Sequence, residues 1–81
     1  MQDEKKALPV TCVEAGKRLH RSPATIRYWA IRYNAVQFGK VGRAQYYDYD
    51  DLAAIDRCIE HGLGVPLDPD VRNPNRFRPA A

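Results

Sequence analysis

Along the chain, small and apolar positions first fall into register at Cys12, Ala15, Gly16 and Leu19, spaced i, i+3, i+4 and i+7. That spacing predicts an amphipathic helix over Cys12 to His20. Thr11-Cys12-Val13-Glu14 before it is a capping-box pattern, and Val10 can close a hydrophobic staple onto Ala15. A second stripe follows at Ile26, Trp29, Ala30 and Tyr33. It predicts a helix over residues 22–33, with Ser22 as N-cap, Pro23 at the first helical position and Asn34 suited to a left-handed stop. Only His20 and Arg21 lie between Leu19 and Ser22, which suits the tight turn of a helix-turn-helix.

The period then changes. Ala35 to Phe38 and Arg43 to Tyr47 have strand-like composition, and the intervening Gly39-Lys40-Val41-Gly42 offers a hairpin turn with Lys40 at its tip and Arg43 beside it. Asp48 can cap a third helix whose inward stripe is Leu52, Ile55 and Ile59, with Asp50 and Asp51 at the positive end of its dipole and Gly62 as its stop. Its acids are expected on an outer face turned away from a polyanion, available to a protein partner. Residues 1–9 read as a mobile lead-in. Residues 63–81, with Pro66, Pro69, Pro74 and Pro79, read as an extended basic tail in which only Val65 and Leu67 tuck against the core. The fold expected is mainly α with a small β-hairpin, in one domain over residues 10–62.

The second helix carries the candidate chemistry. Its apolar stripe leaves Ala24, Thr25, Arg27, Tyr28 and Arg32 on the other side, a face that can donate hydrogen bonds, stack and carry positive charge. A surface helix that only meets water has the same pattern, so charge decides how far the reading goes. Residues 15–47 hold Lys17, Arg18, Arg21, Arg27, Arg32, Lys40 and Arg43 and no acid, whereas residues 48–70 hold seven acids and only Arg57. A net charge of +3 hides this segregation. A basic block without compensating acids is the footprint expected for a polyanion, and the major groove of DNA accepts an α-helix.

Other classes recede. In 81 residues a deep enclosed active site is not expected, and no Ser-His-Asp or paired-carboxylate arrangement is evident, so an enzyme is not expected. Cys12 reads as a small core residue and His20 as a turn residue. Cys58 and His61 have a Cys-x-x-His spacing but lack further soft ligands nearby. No metal and no cofactor is expected. Two cysteines without a framework, no membrane-length apolar run and no signal-peptide core predict a cytoplasmic chain.

Thr-x-x-Glu-Ala at 11–15, Ser-Pro-x-Thr-Ile-Arg-Tyr-Trp at 22–29, the Gly42-Arg43 corner and Tyr47-Asp-Tyr-Asp-Asp-Leu at 47–52 occur in one order. Together they resemble the winged helix-turn-helix domains of MerR-type regulators and phage excisionases, over about residues 10 to 62. The resemblance implies that Thr25, Arg27 and Tyr28 read or position double-stranded DNA, with Ser22, Ala24, Arg32, Lys17, Arg18 and Arg21 around them. It also implies that Lys40 and Arg43 contact the backbone from the wing. Where the family often has an Arg pair, this chain has Gln45 and Tyr46, and where full regulators continue into a long dimerisation helix it has a proline-rich stretch. No small-molecule effector is therefore expected. What remains resembles the excisionase side of the family, which implies a small DNA-bending recombination directionality factor that acts with an integrase and binds cooperatively in several copies. A small transcriptional regulator and the DNA-recognition subunit of a phage packaging (small terminase) complex are the alternatives.

Overall fold

The computed structural model describes residues 8–73, a small mixed α/β domain of four helices and a three-stranded antiparallel sheet. The capping box forms as the spacing predicts. The Glu14 N–H donates to Thr11 Oγ1 at 3.2 Å and the Thr11 N–H to Glu14 Oε1 at 3.0 Å, which starts α1 (Cys12–Leu19). The helix ends at His20, which adopts a left-handed conformation with φ 60° and ψ 44°. The chain then wraps over Gly16. The Arg21 N–H donates to the Gly16 carbonyl, and a Cβ on Gly16 would stand 2.5 Å from the Arg21 carbonyl oxygen. Glycine is required there by close backbone approach.

Ser22 caps α2 (Pro23–Arg32), accepting from the Thr25 N–H, with Pro23 in the first turn. Asn34, at φ 58°, turns the chain out of the helix. Strands β2 (Gln37–Val41) and β3 (Ala44–Asp48) form the hairpin, with a shorter turn than expected. Val41 pairs with Ala44, so Gly42 and Arg43 alone make the bend. Gly42 has φ 60°, the positive value that a two-residue hairpin turn asks of its first position. Gly39 and Lys40 therefore lie within β2, and Arg43 takes the tip in place of Lys40. The ladder is irregular between Gln37 and Gly39, a bulge at Phe38 of the kind that bends and twists a strand.

Three further expectations are corrected. The lead-in is not wholly outside the fold, because Pro9–Val10 forms β1 and pairs with β3 on its free edge. Val10 is buried, and the sheet order is β1-β3-β2. The acids at α3 (Tyr49–Glu60) do not gather on a solvent face either: the N-cap Asp48 and, within the helix, Asp51 and Asp56 are buried, and only Glu60 is exposed. Asp48 caps the helix by accepting from the Asp50 N–H, and Asp51 Oδ2 accepts from the Val36 N–H at 2.8 Å.

The third concerns residues 63–73, which return onto the domain instead of trailing away. They end in a short helix, α4 (Pro69–Arg72). Arg72 is wholly buried at its side chain and grips Asp51 with two bonds, Nε to Oδ1 at 2.8 Å and Nη2 to Oδ2 at 2.6 Å. Its Nη1 donates to the carbonyls of Tyr33 and Pro66, and its Nη2 also to that of Asn34. A guanidinium has five N–H donors, and here all five find acceptors. Val65 packs on the core as expected, whereas Leu67 is exposed. Residues 1–7 of the lead-in and 74–81 of the tail, including Arg76 and Arg78, lie outside the described residues.

The core joins β1, β3 and the three longer helices. Val10, Ala15, Ile26, Trp29, Ala30, Ala35, Tyr47, Leu52 and Ile55 form one buried cluster, against which Cys12, Leu19, Tyr33 and Ile59 pack. Both predicted helical stripes face it. No described helix is long and apolar enough to cross a membrane.

Candidate nucleic-acid interface

With Ile26, Trp29 and Ala30 buried, helical geometry turns the opposite side of α2 outward. Ala24, Arg27 and Tyr28 are exposed there, and so is Ile31, with 73% of its surface in solvent. Thr25 sits at the margin, half-buried, its hydroxyl 2.9 Å from Ser22 Oγ. Ser22 and Thr25 thus fix the start of the helix, each hydroxyl with hydrogen-bonding capacity left. Arg32 is exposed and lies over the Tyr33 ring at 5.5 Å.

Arg27 faces a shallow cleft of about 310 Å³ between the start of α1, the middle of α2 and the hairpin. Arg43, at the hairpin tip, lines the same cleft from the other side, with Cys12, Val13, Gln45 and Tyr47 between them. No carboxylate lines it. The electrostatics of its floor place the Arg27 charge: burial pushes the Cys12 thiol and the Tyr47 phenol up, while Arg27 opposes both shifts. Arg27 and Arg43 have no ion-pair partner among the described residues. Gln45 Nε2 donates to the Gly39 carbonyl at 2.9 Å, bracing the hairpin beside the cleft.

The other sequence-chosen cations are placed elsewhere. Lys17 and Arg18 border a second hollow with Leu8, Pro9 and Glu14, and Arg18 lies over the Tyr49 ring at 5.4 Å. Lys40 borders a third, apolar hollow with Pro9, Phe38, Val41 and Tyr46. Arg21 turns inward: its Nε donates to Asp56 Oδ1 at 2.8 Å, Nη2 stands 3.7 Å from Glu60, and the guanidinium lies over Trp29 at 5.4 Å. Arg21 therefore ties the turn to α3 and is engaged within the fold. Arg72, counted in sequence as part of a basic arm, is likewise internal.

Sequence reasoning passed over three members of this surface. Ile31 completes the outward series Ala24, Arg27, Tyr28, Ile31 at i, i+3, i+4 and i+7, and that series was readable once the inner stripe was assigned. Val13 and Gln45 reach the cleft only through the packing of α1 and the hairpin, for which no local signal exists. Cys58 and His61 bring no metal ligands together, since no group of three or more His, Cys, Asp or Glu able to hold an ion occurs among the described residues. No family model matches the chain, and no curated protein or solved structure matches it either.

Proposed function

We propose that this chain is a winged helix-turn-helix module that binds double-stranded DNA, with α1 and α2 as the helix-turn-helix and the β2–β3 hairpin as the wing. The observation that carries the proposal is the acid-free cleft with Arg27 on α2 at one side and Arg43 at the hairpin tip on the other. A helix with its side chains is about 10 to 12 Å across, and the major groove, about 12 Å wide, admits it. In this arrangement Arg27 reads a base edge, Tyr28 and Thr25 position the helix, and Arg43 and Lys40 hold the backbone beside it.

Within that reading the chain serves as a small architectural protein of the excisionase kind, acting with an integrase. After α3 the chain folds back and is clamped by Arg72 to Asp51, so α3 does not run on into a long dimerisation helix. A single module buries only about 600 to 1,000 Å² on DNA. Several copies on adjacent sites then supply the affinity that one copy lacks. Because Asp48, Asp51 and Asp56 are internal, a head-to-tail contact between the basic and acidic halves has only the outer acids to draw on, such as Glu60.

The test is a titration of the full chain and two variants against selected and random duplexes at several salt concentrations. Arg27→Ala should lose about 1 to 3 kcal/mol on the selected site and relax its sequence preference. Lys40→Ala should weaken all duplexes alike and lower the salt slope by about one. Unchanged binding by Arg27→Ala refutes the assignment of α2. Footprinting on the flanking genomic DNA separates a recombination role, with sites beside an integrase target, from binding at a promoter.

A further inference from the structure

The outward face of α2 holds a large aliphatic side chain that neither the core nor the cleft accounts for. Ile31 is 73% exposed, the largest exposure among the large hydrophobic residues of the domain. It stands one helical turn beyond Arg27, on the same stripe, and α2 carries no acidic residue. From Ala24 to Ile31 the stripe rises through seven helical steps, about 10.5 Å along the axis. That is less than the width of the major groove, so Arg27 and Ile31 can lie inside it together.

Building on the DNA-binding reading above, we infer that Ile31 is a specificity-determining residue that reads the 5-methyl group of a thymine. Two observations favour DNA over a protein as its occupant. The side chain shares its stripe with Arg27, which has no ion-pair partner among the described residues, and the cleft that Arg27 enters is free of carboxylates. In the major groove only thymine presents an apolar group at its edge, so a side chain without donor or acceptor gains most over that base. Ile31 lies four positions after Arg27, an axial offset of about 6 Å. The thymine should therefore lie within about two base pairs of the base that Arg27 contacts.

The experiment selects preferred duplexes from a randomised library with the full chain, then replaces each thymine of the preferred site by deoxyuridine, which removes the methyl alone. The position read by Arg27 is located as the one whose preference relaxes in Arg27→Ala. At one thymine within two base pairs of it, deoxyuridine should weaken the parent about three- to fivefold, the worth of one buried methyl. The same change should not affect Ile31→Ala, whose fold is undisturbed because the side chain is exposed. If deoxyuridine weakens both proteins equally, or neither, Ile31 does not read thymine and this inference falls while DNA binding stands. If the parent selects no sequence from the library, the DNA-binding reading falls and takes the inference with it.

Discussion

Replacing Arg72 by Met tests the packing of the C-terminal segment, because one side chain connects α3, the end of α2 and the turn before α4. The substitution keeps an unbranched apolar stem but removes five donors, and it leaves the Asp51 carboxylate, wholly buried, with its charge unpaired and a hydrogen bond from the Val36 N–H. Breaking a buried ion pair from one side costs about 3 to 5 kcal/mol, since the surviving charge is uncompensated. A chain of 81 residues has a total stability of about 4 to 12 kcal/mol. Arg72→Met should thus remove about a quarter or more of it, and lower the melting temperature by at least about 12 °C. Far-ultraviolet circular dichroism against temperature and against urea measures both. The double variant Arg72→Met/Asp51→Asn should recover about 1 to 3 kcal/mol, because the amide oxygen can still accept from Val36 while the buried charge is gone. Arg57→Met, at an exposed arginine of α3, serves as control and should stay within about 0.5 kcal/mol of the parent. If Arg72→Met melts within a few degrees of the parent, residues 63–73 are not held as described.

Two further outcomes probe the turn and the cleft. Gly16→Ala should destabilise by about 1 to 3 kcal/mol in the same melts, although alanine is the better helix former, because its Cβ would meet the Arg21 carbonyl at 2.5 Å; a stabilised variant would refute the close turn. Cys12 and Tyr47 are raised above their ordinary values of 9.0 and 10.0 by burial. Groups raised on folding contribute stability that is present below the unfolded value and lost as pH rises through the folded one. Urea midpoints should accordingly fall as pH is taken above about 9, and less so in Cys12→Ala. Since Arg27 opposes the shift at Cys12, Arg27→Ala should slow alkylation of Cys12 at pH 8, read by peptide mass mapping; an unchanged rate would show that the guanidinium does not face the cleft.

What the chain's pattern determined by itself was local. Both helical stripes, the capping box at Thr11, the Ser22-Pro23 start, the Asn34 exit and the Asp48 cap are set by residues a few positions apart, so spacing alone reveals them. The candidate face of α2 followed from the same arithmetic, although the sequence reading left Ile31 out of it. Tertiary structure decided the partners of charges distant in sequence. Arg21 meets Asp56 across 35 positions and Arg72 meets Asp51 across 21. Neither pairing leaves a periodic trace, and both turn residues that composition assigns to solvent or to a polyanion into internal struts. Pro9–Val10 likewise becomes a strand only because β3 offers an edge for it to pair with. A pair of residues has too few ladder bonds to hold an extended conformation alone. The meeting of Arg27 and Arg43 across one cleft is of this second kind: their types were legible at once, and their juxtaposition came from the packing of α1 and the hairpin around the same buried core.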